Sequence, residues 1–398
     1  MRTIRLRFLL ALCLVAVLGT APALATWSFA IANTKTGEVG VGTVTCLRLI
    51  DLKQWVPVVV VGKGAGCSQS ALDTTGDLRR TIFDGLGAGS APTDILGELA
   101  GFAGHTTRQF GIVDTQGRSA TYSGPQAGIW RGSVEGQFGD FVYAVQGNVL
   151  AGSCVVPAIE EAIIETEGDL AEKMMAAHRA ARDTGGDGRC SCNVSNPTGC
   201  GCPPPPGQAL GKSGHVGCMI IGRIGDTDDD NCDRRGCADG DYFMDLNAAF
   251  LGDDAPDPVD VLEESFVLWR TELIGRPDAV RSRVSFSRPT LPPGRAGTTT
   301  MKIDLRDWQG RRNHANIASV SVEHAPGSDR RTSIGPVVEN ADGSYSVILT
   351  QPALDRRWRG RDAGGFDRFR IVVDDQVRPV TLMPDPVLSI RRADATSK

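Results

Sequence analysis

The chain has 398 residues, 41% hydrophobic and 22% charged, so it can bury one or more cores of ordinary composition. Its net charge is −5, and the first 25 residues hold Arg2, Arg5 and Arg7 and no acid, so their removal takes the remainder to −8. A chain this acidic argues against non-specific binding to nucleic acid, and no apolar run is long enough to insert in a membrane as a spanning helix.

In chain order, Arg5 and Arg7 precede an apolar run from Phe8 to Leu18, and Ala23-Leu24-Ala25 follows with small residues at its ends. This is the pattern of a signal peptide over residues 1–25, cut after Ala25. Cys13 lies inside the apolar run behind bulky Leu12, which argues against a lipid anchor. The mature protein then begins at Thr26 and is periplasmic or secreted. A threonine in first position carries a hydroxyl and a free α-amine on one residue. The unperturbed amine has a pKa of about 8, so it can serve as base for its own hydroxyl. The competing reading is an ordinary first strand that happens to open on threonine.

Thr26–Ala32 and Val39–Thr45 are rich in β-formers around the turn Thr34-Lys35-Thr36-Gly37-Glu38, which predicts a hairpin. Trp55 to Val61 reads as a buried strand. Gly62, Gly64 and Gly66 then allow a sharp turn or a close approach to a ligand. Asp77–Leu86 reads as a helix, and Ser90 with Pro92 starts a second one reaching about Ala103. Gln109–Asp114 and Ser119–Tyr122 form another hairpin around Gly117, and Phe141–Val145 one more strand before Gln146-Gly147-Asn148. Helical sequence runs from Val156 to Arg182, broken at Gly168 and restarted by Asp169 and Glu172. His178 sits beside its apolar face as a packed or solvated histidine. After a loop rich in Gly, Pro and Cys (Thr184–Gly214) come strands at Val216–Ile224 and Tyr242–Leu246 and a helix marked by Leu262, Phe266, Trp269 and Leu273. Beyond Pro277 the texture changes to short alternating strands, such as Met301, Ile303, Leu305 and Phe369, Ile371, Val373, which suggests a β-sandwich over 278–398.

Several pieces together resemble a known family. They are Thr26-Trp27-Ser28-Phe29-Ala30-Ile31-Ala32, Thr36-Gly37-Glu38-Val39-Gly40-Val41, Arg108-Gln109-Phe110-Gly111-Ile112-Val113-Asp114, Gln146-Gly147-Asn148-Val149-Leu150-Ala151-Gly152, Gly185-Gly186-Asp187, Asp245-Leu246-Asn247 and Pro256-Asp257-Pro258-Val259. In this order they look like the family catalogued as domain of unknown function 1028, grouped with the N-terminal nucleophile hydrolases. The resemblance covers about three-fifths of the chain, residues 26–277. It implies an α+β architecture, a four-layer αββα sandwich with Thr26 at the end of a central strand. The all-β segment that follows resembles an immunoglobulin-like sandwich, with Asn340-Ala341-Asp342-Gly343-Ser344-Tyr345 as a turn-and-strand piece.

An amide hydrolase of this kind needs donors for an oxyanion, and the Asn148 amide at a strand end is placed to supply one. Gln69, just after the glycine-rich turn, is a candidate to orient the amine or the substrate. Both also read as amides capping turns. Asp187 suits either a substrate amine or a turn. The family pattern is departed from after Gly186-Asp187-Gly188-Arg189, where a cysteine-rich insertion occupies 190–211. Ten cysteines remain after the signal, an even number that favours disulfides. Cys190, Cys192, Cys200 and Cys202 are expected to pair among themselves or with Cys232 and Cys237, rather than to hold zinc. Asp226, Asp228, Asp229, Asp230 and Asp233 resemble a calcium loop only loosely, with Asn231 at its glycine position and Cys237 at its glutamate, and read as a solvated acidic loop. No cofactor and no metal are expected. The function that follows is an exported amidohydrolase acting through Thr26 on a small amide or peptide, with a homo-oligomer compatible. The alternative is a non-catalytic exported binding or surface protein that keeps the fold.

Overall fold

The computed structural model describes residues 26–229, 232–312, 317–353 and 364–391. The signal segment and Asp230 therefore lie outside the described residues.

The N-terminal part alternates strands and helices: β1 (Thr26–Asn33), β2 (Val39–Thr45), β3 (Pro57–Val60), β4 (Gly64–Ser70), α1 (Asp77–Ala88), α2 (Pro92–Leu99), β5 (Arg108–Asp114), β6 (Ser119–Ser123), β7 (Arg131–Phe138), β8 (Phe141–Asn148), α3 (Val155–Glu165), α4 (Leu170–Asp183), α5 (Gly188–Ser191), β9 (Val216–Gly222), β10 (Met244–Ala248) and α6 (Pro258–Glu272). Ten strands form two antiparallel sheets, ordered β10-β9-β2-β1-β8-β7 and β3-β4-β5-β6.

The period-2 rule explains how these layers stack. Along β1, Trp27, Phe29 and Ile31 point to one side and pack with α3, α4 and α6. Ala30 and Ala32 point to the other and meet Val59, Ala65, Cys67 and Val113 of the second sheet. The outer face of that second sheet, with Phe110 and Ile112, is covered by Leu78, Ile82 and Leu86 of α1 and Ile95 and Leu99 of α2. β1 is thus buried along its whole length. Small residues let the layers close: a Cβ on Gly42 would sit 2.2 Å from the Phe29 ring and 2.6 Å from His178. Gly64 and Gly66 serve helix packing rather than ligand approach, since a Cβ there would meet Leu86 at 2.7 Å and Ile82 at 2.8 Å; only Gly62 makes the turn, at φ +67°.

The C-terminal part is all strand: β11 (Arg283–Phe286), β12 (Thr290–Leu291), β13 (Gly297–Asp304), β14 (Ser319–His324), β15 (Ser333–Glu339), β16 (Tyr345–Gln351), β17 (Gly365–Asp374), β18 (Pro379–Thr381) and β19 (Val387–Ile390). Sheets β11-β13-β16-β15 and β12-β19-β17-β14, with β18 on β17, enclose a separate core of Met301, Ile303, Val347, Leu349, Phe369 and Ile371. The molecule is therefore mixed α and β with mostly antiparallel sheets. Arg223 joins the two parts: its Nε donates to Glu38 at 2.8 Å, its Nη1 to Asp278 at 2.9 Å, and its guanidinium lies 3.4 Å over the Phe243 ring.

Most elements agree with the sequence expectations to within a few residues, and Asp169 caps α4 by accepting from Glu172 N. The long helical region is two helices, Val155–Glu165 and Leu170–Asp183, separated at Gly168 (φ +118°). β7 was not foreseen, because Gly132 and Gly136 interrupt it and it carries no apolar alternation, lying at the sheet edge with little burial.

Four disulfides are formed: Cys46–Cys190, Cys154–Cys202, Cys192–Cys200 and Cys232–Cys237. This corrects the expected pairing. Only Cys192 and Cys200 pair within the insertion, while Cys190 and Cys202 tie it to β2 and to the start of α3. Cys67 and Cys218 are free and buried. Within the acidic stretch, Asp226 and Asp228 are built into the fold rather than solvated. Asp226 accepts from the N–H groups of Arg223 and Phe243 and from Arg378, and Asp228 accepts from Val61 N at 2.7 Å.

Candidate functional site

The inter-sheet layer is apolar along most of its length and polar at one end. On the inward face of β8, Val142 and Ala144 give way to Gln146 and Asn148; on β5, Val113 gives way to Gly111 and Gln109; on β4, Ala65 and Cys67 give way to Gln69. On β1 the inward set ends in Ser28 and Thr26. Ser28, Gln69, Gln109, Gln146 and Asn148 are all fully buried. Polar groups at this depth must find partners, and most of theirs are one another.

Thr26 sits at the head of this network, in register with Thr45 of β2 on one side and Asn148 of β8 on the other. Its backbone N donates to Asn148 Oδ1 at 3.2 Å, and its Oγ1 donates to Thr45 Oγ1 at 3.2 Å. Gln69 Nε2 donates to the Thr26 carbonyl at 2.9 Å and to Gln109 Oε1 at 3.0 Å. Ser28 Oγ donates to Gln69 Oε1 and accepts from Gln146 Nε2. Gln109 Nε2 donates to the Gly147 carbonyl at 2.9 Å and to Ser123 Oγ at 2.8 Å. Gly111 is required here: a Cβ would lie 1.8 Å from Gln146 Oε1.

Asn148 differs from its expected role as an oxyanion donor. Its Nδ2 is engaged by Ala127 O at 2.7 Å and by Ser70 Oγ at 3.1 Å, so the group it offers Thr26 is an acceptor, Oδ1. That arrangement orients the Thr26 nitrogen instead. The backbone around it is unusual: Ser70 (φ 76°), Trp130 (φ 27°) and Val149 (φ 51°) all lie in the left-handed region that non-glycine residues avoid. Such strain persists where surrounding contacts over-determine it, and it gathers at functional sites. Val149 N is held by the carbonyls of Ile129 and Trp130, which fixes the strand end beside Thr26.

The insertion closes around the same strand end. Leu150 pairs with Asp187, and Gly188 N donates to Val149 O at 3.1 Å. Asp187 is wholly buried and accepts from Cys46 N at 2.8 Å and from Arg189, so it is a structural turn residue here and not an open cation site. Cys46, Cys190 and His215 bring potential ligand atoms within 4.8 Å of one another, but both sulfurs belong to one disulfide and their lone thiolate character is lost. Cys67, beside Ser28 and Gln146, has its thiol pushed up to about 12 by burial and does not act as a thiolate.

On the opposite face of β1, His178 is buried between the Trp27 and Phe29 rings, 5.1 and 4.9 Å away centre to centre, with no hydrogen-bond partner for either ring nitrogen among the described residues. Burial lowers its pKa to about 3, so it stays neutral and packs as an aromatic ring, as the sequence suggested.

Thr26, Gln69 and Asn148, singled out in the sequence, are therefore in hydrogen-bond contact in one cluster. Thr45, Ser28, Gln109, Gln146 and Ser70 were not singled out. The signal was present in Ser28 and Gln146, polar residues that share the inward phase of β1 and β8 with Ala30, Ala32, Val142 and Ala144.

Residues 26–194 match the family of unknown function DUF1028. Among solved structures, protein SPO2555 from Silicibacter pomeroyi, described by the same family, is 20% identical over 61% of this chain and 88% of that chain, with a TM-score of 0.44. The Yersinia pseudotuberculosis adhesin InvE is 18% identical over 26% of this chain and 26% of that chain, at a TM-score of 0.17. InvD from the same organism is 16% identical over 27% of each, at 0.19. No curated protein matches the chain. No helix among the described residues is long and apolar enough to cross a membrane.

Proposed function

We propose that this protein is an exported amidohydrolase of the N-terminal nucleophile type, its residues 26–277 a four-layer αββα unit and its residues 278–398 an immunoglobulin-like spacer or binding unit. The observation that carries the reading is the position of Thr26. Its nitrogen and hydroxyl are each held by one side chain, Asn148 and Thr45, at the polar end of the buried inter-sheet layer. Removal of the signal after Ala25 turns that nitrogen into an amine. Four disulfides support an oxidising compartment.

In this mechanism the neutral α-amine, held by Asn148 Oδ1, takes the proton as Thr26 Oγ1 attacks the amide carbonyl. The C–N bond then breaks, the proton passes to the leaving amine, and the acyl group stays on Thr26 as an ester. Water, deprotonated by the same amine, releases the acid. Asn148 acts as a positioning residue. The backbone N–H of Leu47, whose contact to Thr45 Oγ1 is a long 3.4 Å, is the donor we assign to the oxyanion.

Two variants test this against a panel of small amides and peptides. Thr26→Ala removes the hydroxyl, and a residue added ahead of Thr26 converts the amine to a peptide nitrogen without basicity. Each is expected to lower the rate at least 1000-fold, since removing a catalytic nucleophile costs up to about a million-fold. Full activity in either variant refutes Thr26 as the nucleophile, and no activity in the mature wild type leaves a non-catalytic binding protein.

A further inference from the structure

A cavity of about 450 Å³ opens one residue beyond Thr45, lined by Arg48, Arg189, Lys212 and His215 with Asp253 and the Cys46–Cys190 disulfide. Three permanent cations, Arg48, Arg189 and Lys212, stand against Asp253 in its lining and Asp187 behind Arg189, and burial holds His215 towards its neutral form, so the site keeps a single positive excess in a chain whose net charge is −5. Its link to the candidate nucleophile is short. Thr45 accepts from Thr26 Oγ1, its carbonyl accepts from His215 N at 2.7 Å, and Cys46 follows it directly into the cavity wall.

The basic groups are held differently. Arg189 is fixed by the buried Asp187 carboxylate, with Nη2 to Oδ2 at 2.8 Å and Nε to Oδ1 at 3.2 Å. Lys212 Nζ meets the carbonyl oxygens of Gly252 and Asp253, which orient it without cancelling its charge. Arg48 meets Asp253 in a pair whose side chains are 57% and 63% exposed, the kind of contact an incoming anion displaces at little cost. His215 has a buried Nδ1 with no hydrogen-bond partner among the described residues, while its Nε2 faces Asp253 at 3.4 Å. The loops that carry Arg48 and Asp253 are strained beside the cavity lining. Leu49 (φ 60°) and Phe250 (φ 59°) adopt left-handed backbone where the two loops join through Leu49 N to Leu251 O and Phe250 N to Ile50 O.

We propose that this cavity is an anion subsite that receives a carboxylate of the substrate, so that the amide attacked at Thr26 belongs to a small acidic molecule such as the amide of a dicarboxylic acid. The proposal rests on the amidohydrolase reading for the word substrate, but the subsite itself is testable without turnover. Arg48 and Lys212 supply the charge that meets the carboxylate, Arg189 lines the wall with its Nε and Nη2 already taken by Asp187, and the cavity has room for a whole small molecule.

The experiment is calorimetric titration of the mature full-length protein with glutarate, with glutaramide as the neutral match. Glutarate is expected to bind saturably with a Kd in the millimolar range or tighter, and glutaramide at least 10-fold more weakly. Lys212→Ala and Arg48→Ala, both with side chains at the surface of the cavity, are each expected to weaken glutarate at least 5-fold, and Lys212→Arg to retain it. Thr26→Ala is expected to bind glutarate as wild type does. Absence of saturable glutarate binding, equal binding of glutaramide, or unchanged binding in the Lys212→Ala Arg48→Ala double variant overturns the subsite. A protein that binds glutarate but turns over no amide retains the subsite and loses only the amidohydrolase reading.

Discussion

At the scale of single residues, the account turns on Asn148 and its neighbours. Its Oδ1 and Nδ2 together satisfy Thr26 N, Ser70 Oγ and Ala127 O, all buried. Asn148→Ala removes these three contacts, leaving Ser70 Oγ and Ala127 O with each other at 3.3 Å, and urea denaturation is expected to show a loss of about 1–3 kcal/mol. Asn148→Asp is the more discriminating change. A carboxylate in the place of Oδ1 favours the protonated amine of Thr26 and raises its pKa, and since activity needs the neutral amine, the acidic limb of the rate profile is expected to move up by about one pH unit. An unmoved limb would assign Asn148 a purely structural part. His178 gives a separate prediction about stability. Unfolded, it takes its proton near pH 6.5; folded, only near pH 3. The unfolded state therefore binds more protons throughout that window, and stability falls as pH drops from 6.5 towards 3, by about 2 kcal/mol at pH 5. Urea midpoints of His178→Phe at pH 7 and pH 5 are expected to lie closer together than those of wild type; an equal spread would remove His178 as the cause.

At the scale of elements, β1 shows why much of the fold was legible. Trp27, Phe29 and Ile31 alternate with small residues, and the hairpin glycine Gly37 sits at φ +74°, so strand, turn and buried phase were all in the sequence. β7 was not legible, because its place at the sheet edge is imposed by β8 and leaves no apolar phase of its own. That most of the cysteines pair was legible, but not their partners. Cys46–Cys190 spans 144 residues and Cys154–Cys202 spans 48, and spacing along the chain carries no information about either contact. Of the polar cluster, Thr26, Gln69 and Asn148 were picked out in the sequence, whereas Gln109 reaches it only because the second sheet lies across the first. Thiol titration of the denatured, unreduced mature chain is expected to find two thiols, Cys67 and Cys218; four or more would contradict the connectivity. Replacing Cys46 and Cys190 by alanine is expected to lower stability by about 2–4 kcal/mol in urea and to loosen the loop that closes on Thr26.

At the scale of the molecule, two cores share one junction. Arg223 is nearly buried between Glu38 and Asp278, one from each part, and Arg378 reaches back to Asp226 at 2.7 Å. Arg223→Ala leaves two buried carboxylates without their cation and is expected to cost about 3–5 kcal/mol by denaturation, far more than loss of an exposed ion pair such as Lys302–Asp342. The separate core of the C-terminal strands predicts that residues 278–398 expressed alone unfold cooperatively, and a broad non-cooperative transition would contradict their independence. The central claim is simpler than any of these. The chemistry proposed for Thr26 exists only if its nitrogen is a free amine. The intact mass of the protein recovered after export measures this directly: the account predicts a chain that begins at Thr26, and a chain that retains any residue ahead of Thr26, or begins after it, contradicts the account.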